Sequence, residues 1–254
     1  MGHVKVEFKD HLAVVTIDRS QRRNALTAAV CIELAQAIRD AAEKARVVVL
    51  TGAGSAFCAG GDFQELARYA AGDPKEAAKG LYDGFQGMIR AIREVPVPVI
   101  AAVNGHAMGA GMDLALACDI RIMSDDAKLG QVWVKVGLIP GTAGGYWVDA
   151  LAGGGRASEA ILTGEPVSAE TALSWGLVNE VVALEWVMPR AEELAKLLSE
   201  SPPEALAANK KLLNDVVYQG YEEALEKSRD AQVERFASDE FRQAIGALQE
   251  EAEG

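Results

Sequence analysis

Two small-residue turns and one carboxylate are where chemistry can begin in this chain. Residues 51–61 run Thr-Gly-Ala-Gly-Ser-Ala-Phe-Cys-Ala-Gly-Gly, and residues 104–111 run Asn-Gly-His-Ala-Met-Gly-Ala-Gly. Each follows an apolar, β-branched run and precedes a helical pattern. A strand-to-helix turn leaves main-chain N–H groups without acceptors at the helix N-terminus, where the dipole also favours negative charge. Glycine and alanine let a ligand approach that backbone. Gly61 precedes one such helix and Ala110 begins the other. Brought together, the two turns would supply a pair of donors to one oxygen, an oxyanion hole. Turns that only redirect the chain have the same spacing, so both meanings stay open at this point.

Other chemistries find less support. Gly52 and Gly54 follow a strand, but Phe57 stands where a dinucleotide fingerprint needs its third glycine. There is no phosphate-binding G-x-x-x-x-G-K-[ST] and no G-x-S-x-G nucleophile elbow. Three scattered histidines make no HExxH or zinc set, so no metal is expected. His106 reads as a turn-stabilising imidazole, Asp62 as a helix cap and Asp119 as a buried partner of backbone or arginine.

The elements that must position these groups follow from periodicity. Residues 4–8 and 12–17 alternate as a hairpin. Thr27 can cap a helix striped by Val30, Leu34, Ile38 and Ala42. Val47 to Leu50 suits a strand buried on both faces. Asp62 with Glu65 predicts a capping box. A helix over 75–94, striped by Leu81, Phe85, Met88, Ile89 and Ile92, ends at Pro96 and Pro98. Val99 to Val103 then repeats the grammar of strand, glycine turn and helix, with the helix over Met112 to Cys118. Helical patterns at 157–162 and 169–175 lead to a last strand before Val182. From Met188 only helical stripes remain, through Leu194, Leu197, Leu198, Leu206, Leu212, Leu213, Val216 and Val217, then Phe236, Phe241, Ile245 and Leu248. Such a thin appendage should pack on the core or on a neighbouring subunit.

Composition narrows the function. With 37 acidic against 25 basic residues the net charge is −12, which repels nucleic acid but leaves room for a small anionic ligand in a local pocket. Aromatic residues are 6% of the chain, too few for single-strand stacking platforms. Cys31, Cys58 and Cys118 are odd in number and lack CxxC spacing, which fits a reducing compartment. No apolar run approaches the ~18 residues of a membrane helix, and the N-terminal residues lack the pattern of a signal peptide. A soluble, cytoplasmic protein is the expectation.

Several stretches, taken in order over about residues 5–220, resemble the crotonase (enoyl-CoA hydratase/isomerase) superfamily. They are Arg22 to Leu26, Ala56 to Asp62, Pro98 to Asp119, Lys128 to Gln131, Val136 to Gly141, Leu162 to Gly164 and Ala172 to Asn179. The resemblance implies an α/β fold, a crotonase-like spiral of ββα units over residues 1–190, and a C-terminal helical oligomerisation region over 191–254. It implies a homotrimer or a dimer of trimers, a place in fatty acid metabolism, and a coenzyme A thioester as substrate with no separate cofactor. It assigns the oxyanion donors to Gly61 and Ala110. Ala59, Gly60, Asp62 and Phe63 should line the coenzyme A groove, with Arg23 and Ala25 as neighbours.

The chain departs from the hydratase pattern at two carboxylate positions. The first glutamate is Asp113, which keeps the charge with a shorter reach and resembles the dienoyl-CoA isomerase branch. Asp113 also reads as a first-turn carboxylate stabilised by the helix dipole, but its apolar helix and its place beside Ala110 favour proton transfer. The second glutamate is Trp133, which cannot act as a base. A tryptophan there resembles the 4-chlorobenzoyl-CoA dehalogenase branch, but that branch needs an aspartate where Gly141 stands. Three activities fit: isomerisation by Asp113 alone, hydration with an unidentified second group, and acyl-CoA binding without turnover. Tyr146, Trp147, Tyr82, Phe85 and Gln86 are further candidates for the acyl pocket.

Overall fold

Val4–Lys9 (β1) and Leu12–Ile17 (β2) pair antiparallel as the alternation predicts, turning at Asp10 with φ 53°. The computed structural model describes residues 2–253, and the side chains of residues 2–247. Beyond the hairpin the chain builds two sheets. The larger has the order β1, β2, β3 (Val47–Gly52), β5 (Val99–Val103), β7 (Ile120–Ser124) and β10 (Glu180–Val182), parallel from β2 onward. The smaller sets β4 (Ala56–Cys58), β6 (His106–Met108) and β8 (Lys128–Gly130) parallel, with β9 (Val167–Ser168) antiparallel at its edge. Each turn of the chain places one strand in each sheet and then a helix, which is the ββα spiral.

The continuous apolar strands are explained by helices on both faces. On one face α1 (Ala28–Ala42) buries Val30, Leu34 and Ile38, and Thr27 caps it by accepting from Val30 N–H at 3.2 Å. On the other, α9 (Leu184–Ser199) sets Val187, Ala191 and Ala195 against Val47, Val49, Ile100, Ala102 and Ile122. After α2 (Phe63–Ala71), residues 74–94 form one helical path: α3 (Pro74–Lys79), a π-helical stretch at Gly80–Phe85, and α4 (Gln86–Glu94). All five residues of its predicted stripe are buried.

Some elements differ from the sequence reading. The helix after the second turn, α5, begins at Ala110, where the turn placed its start, two residues before the helical pattern counted from Met112, and ends at Ala117. Helix α6 (Gly144–Ala152) goes unpredicted because two glycines open it and no side chain caps it. It is followed by α7 (Gly154–Thr163), α8 (Ala169–Ser174), α10 (Pro203–Val216), α11 (Tyr221–Phe236) and α12 (Asp239–Glu253). The capping box at Asp62 is half formed. Asp62 Oδ1 accepts from Gln64 N–H at 3.1 Å, but Glu65 turns to Ala28 N–H at 2.9 Å and the Tyr69 hydroxyl at 2.6 Å.

The division at 190/191 falls inside α9, a helix that packs on the large sheet along its length. Helices α11 and α12 fold back on the chain's own core, burying Leu225, Phe236, Phe241 and Ile245. Leu248 lies outside the described side chains. Leu197, Leu212, Leu213, Val216 and Val217, expected to be covered, are exposed in the single chain.

A buried ionic post ties α10 down. Lys210 donates to the carbonyls of Ile92 (2.8 Å) and Val97 (2.9 Å) and pairs with Asp119 at 2.8 Å. Arg93 meets Asp119 at 3.0 Å, and Asp119 also accepts from Val99 N–H at 2.8 Å. Asp119→Asn leaves two buried cations short of a counter-charge, a loss of about 3–5 kcal/mol for a broken buried pair. Urea denaturation should show that loss; a change under about 1 kcal/mol would mean that the post does not hold the fold.

Candidate active site

Strands β4 and β6 lie side by side, with Ala56 opposite His106 and Cys58 opposite Ala107. The turns leaving them therefore emerge together. Their backbones touch: a Cβ on Gly60 would fall 2.5 Å from the Met108 carbonyl oxygen and 3.5 Å from Ala110 N, and one on Gly111 would collide with the Cys58 carbonyl. Gly60 also has φ 91°, a left-handed conformation that glycine adopts freely. A short bridge fixes the first turn, with Leu26 N–H on the Gly60 carbonyl (2.7 Å) and Asp62 N–H on the Leu26 carbonyl (2.6 Å). The bridge skips Gly61. Among the described residues, neither Gly61 N–H nor Ala110 N–H at the start of α5 has an acceptor.

Ala110 lines a narrow cavity with about 10 Å³ of open space, the room of one water. Its apolar walls are Leu66, Leu81, Phe85, Phe236 and the ring of Tyr69, and Thr142 and Gln232 add polar groups. Trp133 closes the side nearest the turns and is only 7% exposed. A Cβ on Gly109 would lie 2.8 Å from its Cζ2, and one on Gly61 would lie 3.4 Å from its Cη2. The indole thus spans both turns, and its Nε1–H has no partner.

Asp113 sits one helical turn beyond Ala110 and is fully buried. Its carboxylate accepts from Gln131 Nε2 on Oδ1 and from the Thr142 hydroxyl on Oδ2. It does not reach the cavity wall; Thr142 does. Burial pushes its pKa from the ordinary 3.8 up to about 7, against the opposing pull of the Thr142 and Gln131 hydrogen bonds. Gly144 at the head of α6 has to be glycine, because a Cβ there would collide with Asp113 Oδ1.

The predicted groove residues separate into two groups. Arg23 and Ala59 are exposed, Ala25 and Phe63 half-buried, and Ala59 N–H on the Arg23 carbonyl (2.9 Å) joins the two segments. Gly60 is a buried spacer. Asp62 leaves the groove: one oxygen caps α2 and the other pairs with Arg19 at 3.2 Å, so both are spent on structure.

Of the acyl-pocket candidates only Phe85 and Trp133 line the cavity. Gln86 is buried and donates to the carbonyls of Gly141 (2.9 Å) and Leu225 (2.7 Å). Tyr82 is largely exposed beneath Arg90 and Arg229. Trp147 stacks on Tyr221 in the core and donates to the Thr142 carbonyl at 3.2 Å, and Tyr146 packs edge-on against it. Thr142, Gln232 and Phe236 were not anticipated. The last two lie on α11, more than ninety residues from any motif that marks the turns, and no local signal points to them. His106 accepts from Lys128 N–H at 3.1 Å, as a turn-stabilising role requires.

Known proteins share this architecture. The family model for enoyl-CoA hydratase/isomerase matches residues 7–253. The chain is 34% identical over 253 residues to the short-chain-enoyl-CoA hydratase of Clostridium acetobutylicum, covering 98% of this chain and 95% of that one. It is 32% identical over 236 residues to the 1,2-epoxyphenylacetyl-CoA isomerase of Escherichia coli, covering 92% and 90%. A crystal structure of an enoyl-CoA hydratase/isomerase from Mycobacterium paratuberculosis superposes with a TM-score of 0.90 at 30% identity, over 98% of this chain and 99% of that one.

The burial of Asp113 has a measurable consequence. Between about pH 4 and 7 the folded chain holds a proton that the unfolded chain has released, so stability falls as pH rises through this window. The fall is up to ~4 kcal/mol, at roughly 1.4 kcal/mol per unit. Asp113→Asn should flatten that fall in urea midpoints read across the window; an unchanged slope would mean that the carboxyl is not held up.

Proposed function

Since the chain belongs to the enoyl-CoA hydratase/isomerase family and is an enzyme of it, we propose that it shifts the double bond of an acyl-CoA thioester, with Asp113 as its single proton-transfer carboxylate. The thioester oxygen would sit between Gly61 N–H and Ala110 N–H. Loss of an α-proton puts negative charge on that oxygen, and each preorganised donor stabilises it by roughly 3–4 kcal/mol. One carboxylate can remove a proton from one carbon and return it to another, so the chemistry needs no second base.

The observation that carries this proposal is the state of the carboxylates around the site. Asp113 sits near 7, where an acid and its base are both populated at neutral pH. Trp133 occupies the place where hydration would want the second acid. Glu65, the other carboxylate behind the cavity wall, is engaged by Ala28 N–H, the Tyr69 hydroxyl and, more loosely, Arg68. Coenzyme A would run along Ala59, Gly60 and Phe63, beside Arg23 and Ala25, as substrate and not as resident cofactor. The exposed apolar residues of α10 would be covered in a trimer or dimer of trimers. The three free, buried cysteines fit a cytoplasmic setting. Hydration is a second reading, favoured by the water-sized space between Ala110 and Thr142.

A panel of 3-enoyl-, 2-enoyl- and aromatic-CoA thioesters separates these activities. Isomerisation of the 3-enoyl thioester should dominate. Asp113→Asn should lower its kcat by roughly 10²- to 10⁴-fold while thioester binding persists. Dominant hydration of crotonyl-CoA would favour the second reading, and unchanged turnover in the variant would remove Asp113 from the chemistry.

A further inference from the structure

Asp113 has no surface of its own on the cavity. Its carboxylate is fully buried, and the group between it and the open space is Thr142, which lines the cavity and turns its hydroxyl onto Asp113 Oδ2. The loop bearing Thr142 is held from several sides. Trp147 Nε1–H donates to the Thr142 carbonyl at 3.2 Å, Gln86 Nε2 donates to the Gly141 carbonyl at 2.9 Å, and Ala143 is fixed at φ 62°. Gln131 occupies the other carboxylate oxygen. Thr142 is thus the residue that both lines the cavity and hydrogen-bonds the Asp113 carboxylate.

Resting on the assignment of Asp113 as the proton-transfer carboxylate, we propose that the Thr142 hydroxyl relays the proton between the bound acyl thioester and Asp113. As the substrate C–H bond breaks, its proton bonds to Thr142 Oγ1 and its electron pair stays on the thioester as the enolate. In the same motion the Thr142 O–H bond breaks and that proton bonds to Asp113 Oδ2. The hydroxyl is regenerated with a different proton, the carboxylate becomes a carboxylic acid, and nothing is oxidised or reduced. Return of the proton to the other carbon runs the relay backward.

Among the described residues, Tyr69 is the titratable group lining the cavity, and its hydroxyl donates to Glu65 at 2.6 Å; Tyr146 of α6 packs edge-on against Trp147. On the elements packed around α5, Arg93 of α4 is turned to Asp119 and Asn214, and the Cys58 sulfur of β4 accepts from Gly60 N–H. His106 of β6 is exposed on Lys128 N–H, and Asp149 of α6 is exposed. None of them contributes to the shift of Asp113.

The test compares Thr142→Val, which keeps the shape and removes the hydroxyl, with Thr142→Ser, which keeps the hydroxyl. Asp113→Asn serves as the reference. The readouts are solvent-deuterium exchange at the substrate α-carbon by NMR, kcat and KM separately, and the pH profile of kcat/KM. Thr142→Val should slow exchange and kcat by about 100-fold with little change in KM. It should also move the acidic limb of the profile upward, because the carboxylate loses a donor. Thr142→Ser should recover most of the rate and the original limb. If Thr142→Val unfolds, Thr142→Ala provides the same comparison. Exchange within about threefold of the parent in the hydroxyl-free variant, with Asp113→Asn inactive, would overturn the relay and leave the carboxylate's role standing. An active Asp113→Asn would overturn the underlying assignment.

Discussion

The close parallel pairing of β4 with β6 is the contact on which the site depends. It sets two strand-to-helix turns at van der Waals distance, with no side chain between Gly60 and Met108 or between Gly111 and the Cys58 carbonyl. Any Cβ at either glycine would push the turns apart and with them the two unsatisfied N–H groups. The constraint is steric before it is chemical. The turns lie together because the second sheet is narrow and its strands are short, and they are rigid because both are anchored by strands on one side and helices on the other.

Around that contact the fold sets a narrow and mostly apolar environment. Trp133 lies across both turns, and Tyr69, Phe85 and Phe236 complete the wall. Burial acts on each group in a different way. For the backbone donors it lowers the local dielectric, which strengthens their field. For Asp113 it penalises the charged form, and two neutral hydrogen-bond donors offset only part of that penalty.

The C-terminal helices are part of this environment. Gln232 and Phe236 of α11 close the cavity, and Gln232 Oε1 accepts from Ile139 N–H at 3.0 Å, tying α11 to the segment that leads to Thr142. The ionic post of Arg93, Asp119 and Lys210 fastens α10 to the strand that carries the second turn into the site. The spiral and the appendage therefore act on the site as one body.

Much of this was legible in the residue order. Alternation marked the hairpin, continuous β-branched runs marked the doubly covered strands, and Thr27 marked its helix, because each depends on neighbours a few residues away. The small-residue turns before Gly61 and Ala110 were legible for the same reason, whereas the resemblance singled out Asp113 and set Trp133 where hydratases carry an acid. The resemblance carried the fold. Asp62 reads as a helix cap, while the resemblance implies a groove residue; the structure gives its second oxygen to Arg19, 43 residues away. The sequence could name the carboxylate but not its surroundings. That Thr142 screens Asp113 from the cavity, that Glu65 is spent, and that α11 supplies a wall were decided by tertiary structure, since burial and hydrogen-bond partnership are set by segments whose separation along the chain carries no local pattern.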